Sequence, residues 1–229
     1  MEFNTRIFTP FGPPMLEADC PNFIVDALNE YHDTYHTRPN AKKIFPNLLT
    51  RSISNVFIET DFADDIGLLD YMEYLAQEYV KQHARRVEDL CGDPYDGTLD
   101  KFKDLRVSEL DGNEEGYIDG WINVYDETDF TPIHTHGGEL SSVMILKLPD
   151  DPKGLNEITN DAGEDCPNGK LNYHYYPSDE TEFEHDMYTP EQYVGNTLLF
   201  PPMLRHVYYP HKLKGQERRT LSLNFAINK

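Results

Sequence analysis

Two histidines alternate in Thr131-Pro132-Ile133-His134-Thr135-His136-Gly137-Gly138-Glu139. If this is the start of a strand, a period of two sends both imidazoles to one face, where they can offer two nitrogens to one metal ion. A His-x-His pair also arises by chance on a surface, so it needs company. His206 provides it: it follows Gly195-Asn196-Thr197-Leu198-Leu199-Phe200-Pro201-Pro202 and precedes Val207-Tyr208-Tyr209-Pro210. A strand, a proline-enforced turn and a histidine in that order can bring a third imidazole back to His134 if the sheet closes on itself. Arg218 then opens a segment in which Arg218, Thr220, Ser222 and Asn224 share one face while Arg219, Leu221, Leu223 and Phe225 share the other. A polar face on a terminal strand is ordinarily the solvated side. What gives this one a functional reading is the presence of three histidines upstream.

The elements that must position these residues are strands. After Gly97 the sequence reads as short apolar runs at 117–125, 140–148, 171–176, 196–200 and 220–227, separated by Gly, Pro, Asn and Asp. Strands without intervening helices imply an antiparallel sandwich or barrel. Upstream, Phe23, Ile24, Ala27, Leu28, Tyr31 and Tyr35 predict an amphipathic helix over 22–35 with Asn22 as its N-cap. A second helix is predicted over 64–90 from Leu68, Leu69, Met72, Leu75, Ala76, Tyr79, Val80 and Val87. The first residues, 3–14, carry Pro10, Pro13 and Pro14 and read as an edge strand running into a turn. The stretches 149–170 and 177–191 read as long connections. The fold class is therefore mainly β with flanking helices, an antiparallel sandwich or barrel, which the resemblance described below narrows to a jelly-roll or cupin-like barrel. We expect one domain over 1–229, with 1–100 mostly helical support and 115–229 the barrel.

The 229 residues carry 41 Asp and Glu against 20 Lys and Arg, a formal charge of -21. A surface of that sign repels phosphate backbones and anionic lipid, which disfavours nucleic acid and membranes as partners. Cys20, Cys91 and Cys166 are too few and too scattered for a disulfide framework. No leader or membrane-spanning run is apparent, so an unprocessed protein of the reducing cytoplasm is expected. The other histidines, His32, His36, His83, His174, His185 and His211, read as packing or solvated residues, and strand tyrosines such as Tyr173, Tyr175, Tyr208 and Tyr209 as sheet packing.

Taken together, four pieces resemble the iron(II) and 2-oxoglutarate dependent dioxygenases of the double-stranded β-helix fold, and among them oxygenases of marine bacteria and their phages. The pieces are Trp121-Ile122-Asn123-Val124-Tyr125, His134-Thr135-His136 followed by Gly138-Glu139-Leu140-Ser141-Ser142, Thr197 to Pro202 with His206, and Glu217-Arg218 with Ser222 and Asn224. The resemblance runs from Trp121 to the C-terminus. It implies a barrel of eight strands in two sheets, with iron(II) bound at its mouth and O2 as co-reactant. It also implies hydroxylation of a small-molecule or protein substrate, with succinate and CO2 released from 2-oxoglutarate. His134 and His206 correspond to family ligands. His136 stands where an aspartate is usual, so either three histidines form the site or Glu139 completes it or orients an imidazole. Arg218 corresponds to the anchor of the far carboxylate of 2-oxoglutarate, with Tyr125, Asn123, Thr220 and Ser222 as further contacts to the cosubstrate. Two other readings use the same residues: a cupin-like metalloenzyme without 2-oxoglutarate, in which Arg218 would lie on the surface, and a non-catalytic jelly-roll binding or virion module.

Overall fold

In the computed structural model the chain runs β1 (Thr5–Phe8), β2 (Met15–Asp19), α1 (Asn22–Tyr35), β3 (Val56–Glu59), α2 (Thr60–Asp65), α3 (Leu68–Cys91), a 3-10 turn (Asp100–Asp104) and β4 (Leu105–Val107). It continues with β5 (Tyr117–Tyr125), β6 (Thr131–His134), β7 (Leu140–Lys147), β8 (Leu171–Tyr175), β9 (Asp186–Tyr188), β10 (Asn196–Phe200), β11 (Arg205–Tyr208) and β12 (Arg218–Ile227). The structure describes residues 3–10, 13–35, 56–91, 100–110, 116–150, 169–175, 186–211 and 213–227. The expected connections at 149–170 and 177–191 lie largely outside them, as do His36, His185 and Cys166.

Among the described residues the strands form two antiparallel sheets. The larger has the order β1-β2-β10-β7-β12-β5-β3 with β4 added on β12, and the smaller has the order β6-β11-β8-β9. The architecture is thus richer than the eight strands expected. β3, β4 and β9 are only three or four residues long, too short for alternation to announce them. β1 is the edge strand that the prolines at 10–14 foreshadow.

Alternation along each strand of the larger sheet divides two cores. On β12, Leu221, Leu223 and Phe225 face the helices, joined there by Leu140, Met144 and Leu146 of β7 and Ile118 and Ile122 of β5. α1 brings Ile24, Val25, Leu28 and Tyr31 to this face, and α3 brings Leu68, Tyr71, Met72, Leu75, Ala76 and Tyr79. Each Leu, Ile, Val, Met or Phe among them that is removed from water contributes about 1.5–3 kcal/mol. Two polar contacts fix where the helices sit: Tyr71 donates from its hydroxyl to Thr197 Oγ1 at 3.3 Å, and Asn29 Nδ2 donates to the Leu146 carbonyl at 2.9 Å. The single helix expected over 64–90 breaks at Gly67. There a φ of 71° ends α2, with the Gly67 N–H donating to the Asp64 carbonyl, and α3 starts one residue later.

The other core lies between the sheets and is smaller. Met15, Tyr125, Val143, Leu171, Tyr173, Leu198, Phe200, Leu204 and Tyr208 fill it. Next to this core, on the inner face of β5 and β12, the apolar lining gives way to polar side chains. Among the described residues, no helix is long and apolar enough to cross a membrane.

Candidate active site

β6 and β11 pair antiparallel with His134 and His206 as direct register partners, which brings together two residues far apart in the chain. β6 ends at His134, so His136 does not share its strand as the period-two reading expects. Instead the His136 N–H donates to the Pro202 carbonyl at 2.9 Å, tying the segment after β6 to the proline turn that precedes β11. The result is the cluster the sequence points to: one ring nitrogen from each of His134, His136 and His206 lies within 4.8 Å of the others.

The hydrogen bonds of the rings decide which nitrogen each offers. His134 Nδ1 faces the Pro132 carbonyl at 2.8 Å and His206 Nδ1 the Leu204 carbonyl at 3.1 Å. A carbonyl only accepts, so both Nδ1 atoms carry the proton. His136 Nδ1 faces Asn224 Oδ1 at 3.1 Å. That amide is oriented by its other end, because Asn224 Nδ2 donates to Asp119 Oδ2 at 2.9 Å while Ser141 Oγ donates to Asn224 Oδ1 at 2.9 Å. All three Nε2 atoms are consequently bare lone pairs when the rings are neutral.

Neutral is the state burial enforces. His206 lies 3% exposed, and desolvation, then the neighbouring His134 and His136, hold it well below the ordinary histidine range. Burial, followed by the His134 charge, lowers His136 to about 4, and burial lowers His134. Two bare Nε2 atoms, those of His136 and His206, then face each other at 3.2 Å. Lone pairs at that separation repel unless a cation takes both, and three imidazoles are a donor set that suits a first-row divalent ion such as iron(II). The residues present therefore fit the metal.

The same cavity, of about 500 Å³, runs from these histidines to Arg218. Arg218 is fully buried. Its Nη1 donates to the Gln192 Oε1 at 2.6 Å and to the Gly169 carbonyl at 3.1 Å, and its guanidinium lies 4.1 Å above the Tyr208 ring. Its Nε and Nη2 have no hydrogen-bond partner among the described residues. A buried cation with two adjacent donors unspent is a seat for a carboxylate. Burial is also where the cupin-like reading of this residue fails, since that reading has Arg218 on the surface. Arg219 points the other way, as alternation requires, and pairs with Asp33 and Glu217 beneath α1.

The expected cosubstrate contacts also reach this cavity. Asn123, Tyr125, Thr220 and Ser222 all line it, with Asn123 Nδ2 donating to Ser222 Oγ at 3.0 Å and the Tyr125 hydroxyl 2.8 Å from Thr131 Oγ1. Glu139 is the correction. It is exposed and stands outside the donor cluster, because Gly138 turns the chain back onto β12 and the Glu139 N–H donates to the Phe225 carbonyl. The accepting role given to Glu139 falls to Asn224. Sequence reasoning missed Asp119 and Gln192. Period two on β5 puts Asp119, Trp121, Asn123 and Tyr125 on one face and could have flagged the first; no local pattern marks Gln192. His211 is buried, within the packing-or-solvated reading of the sequence, whereas His32, expected solvated or half-buried on its helix, is also buried.

Comparison with known proteins agrees with this geometry. Residues 119–224 match the family described as "Putative 2OG-Fe(II) oxygenase". Among curated proteins there is no sequence match. Of solved structures, a Pseudomonas putida prolyl-4-hydroxylase is 15% identical with a TM-score of 0.51, covering 99% of this chain and 94% of that one. AviO1 from Streptomyces viridochromogenes Tue57 is 14% identical with a TM-score of 0.52, covering 93% of this chain and 89% of that one. At these identities the likeness is one of fold, the double-stranded β-helix. Fold and site resemble those of the class that the matched family names, the 2OG-Fe(II) oxygenases. The chain is an enzyme of the 2OG-Fe(II) dioxygenase type, whose cofactors are iron(II), 2-oxoglutarate and O2.

Proposed function

We propose that the enzyme hydroxylates a C–H bond of a small-molecule or protein substrate in the cytoplasm, with succinate and CO2 released from 2-oxoglutarate. His134, His136 and His206 hold the iron through Nε2, and Arg218 receives the far carboxylate of 2-oxoglutarate on Nε and Nη2. When bound, iron(II) and 2-oxoglutarate together supply the O2-activating oxidation chemistry. The protein's own part is positional. Tyr208 beneath the guanidinium and Gln192 at its Nη1 keep Arg218 aimed, while Leu171 and Val143 line the cavity with apolar surface. Around so deeply buried a guanidinium the charge pairing is stronger than in water. The observation that carries this reading is that bare Nε2 atoms and an unspent buried guanidinium share one cavity.

The test is an anaerobic titration with iron(II) and 2-oxoglutarate, followed by the visible charge-transfer band of the chelate. The band forms with the native protein and not with Arg218→Ala, which still binds iron. If iron binds without the band, 2-oxoglutarate is not the cosubstrate. If no metal binds, the enzyme reading of this site is wrong.

A further inference from the structure

We propose that Asp119, acting through the Asn224 amide, is the positioning residue that presents His136 to the metal and supplies the negative charge a third imidazole lacks. The inference rests on the metal centre proposed above and goes beyond it by giving the centre its anionic partner. His134 and His206 are oriented by backbone carbonyls two residues before them, Pro132 and Leu204. His136 differs, since its acceptor is a side chain 88 residues away. An amide can turn either end toward an imidazole, and the wrong end would put a donor against Nδ1. Asp119 removes the choice, because a carboxylate accepts only: Asn224 Nδ2 must point to it, which leaves Oδ1 for His136 and for Ser141 Oγ.

The charge argument runs along the same bonds. A divalent ion among three neutral imidazoles keeps its full charge, whereas a carboxylate ligand would halve it. Asp119 sits two hydrogen bonds from the His136 ring, and Asn224, the link between them, is only 5% exposed. In such surroundings hydrogen bonds polarise one another, and an acceptor behind a ligating imidazole raises its basicity.

The experiment uses cobalt(II) as probe and measures its affinity for the metal-free full chain by competition with a chelator, together with the visible cobalt spectrum. Asp119→Asn keeps a hydrogen bond to Asn224 available but removes the charge and the acceptor-only character of the partner; its affinity falls by roughly tenfold, the lower end of what such partners contribute, with an unchanged urea midpoint for the metal-free protein. The exchange variant D119N/N224D places the carboxylate directly on His136 while the amide at 119 donates to it, and it restores wild-type affinity. Wild-type affinity and spectrum in Asp119→Asn overturn the inference, as does an exchange variant no tighter than D119N/N224A. Failure of the wild-type chain to bind cobalt(II) overturns the metal centre itself, and this inference with it.

Discussion

His134 and His206 face each other across the β6–β11 ladder as register partners, with ring centroids 4.2 Å apart. The pairing makes the site a property of the smaller sheet: a slip of one residue in that ladder turns one imidazole to the opposite face. His136 joins from a segment anchored at Pro202 and β12, and Arg218 from the larger sheet. The centre therefore forms only when both sheets and the turn between them are in place.

Trp121 is the sole tryptophan, and its ring lies 6.0 Å from that of His136, nearly parallel at 11°. Its fluorescence will be quenched when cobalt(II) binds the native protein and will stay constant in His206→Gln. Equal quenching in the two proteins would place the metal elsewhere.

Gln192 accepts from Arg218 Nη1 and leaves Nε and Nη2 for the carboxylate proposed to sit there. Gln192→Glu puts an internal carboxylate on that guanidinium, and 2-oxoglutarate affinity of the manganese-loaded protein should drop by roughly tenfold, a little over 1 kcal/mol of a charge-assisted pair. Gln192→Leu loses less. Titration calorimetry showing the Glu variant binding like wild type would contradict the placement of 2-oxoglutarate at Arg218.

Acid should destabilise the metal-free protein before its carboxylates titrate. The folded state holds the three histidines neutral, with His136 lowered to about 4 and His206 and His134 also lowered. In the unfolded chain they take up protons near pH 6.5. Below that pH the unfolded state binds more protons, so stability is complete above about 6.5 and falls as pH drops toward 4. Urea unfolding at pH 7 and pH 5 measures the difference, which shrinks in His206→Gln; an undiminished difference in that variant would assign it to other groups.

Gly138 has φ +79°, and a Cβ there would stand 2.7 Å from the Phe225 carbonyl oxygen. Gly138→Ala should cost on the order of 1–3 kcal/mol and lower Tm by roughly 3–10 °C. Gly137, where a Cβ meets nothing within 4 Å, is the control: Gly137→Ala leaves Tm unchanged. A Gly138→Ala variant melting with the wild type would mean that this turn is looser than described.

Much of the site was legible because it obeys local periodicity. Alternation on β12 put Arg218, Thr220, Ser222 and Asn224 on the cavity face and Leu221, Leu223 and Phe225 in the helix-side core, where they are found. The strands at 117–125 and 196–200 fall where apolar runs announce them. Glu139 misled because nearness in sequence stood in for nearness in space, and Gly138 turns that carboxylate out to solvent. β3, β4 and β9 escaped because short edge strands are fixed by the neighbours they pair with.

The sequence by itself determined the chemical inventory: three imidazoles, a guanidinium, and the order of strands that carries them. Only the tertiary structure decided which nitrogen each ring offers and which donors of Arg218 stay unspent. Those depend on the Pro132 and Leu204 carbonyls, on Asn224 and Asp119, and on Gln192. The reason is physical. A strand's periodicity is imposed by its own backbone and can be read along the chain, whereas a hydrogen-bond partner is assigned by sheet closure, which brings together residues such as His136 and Asn224 without any local pattern linking them.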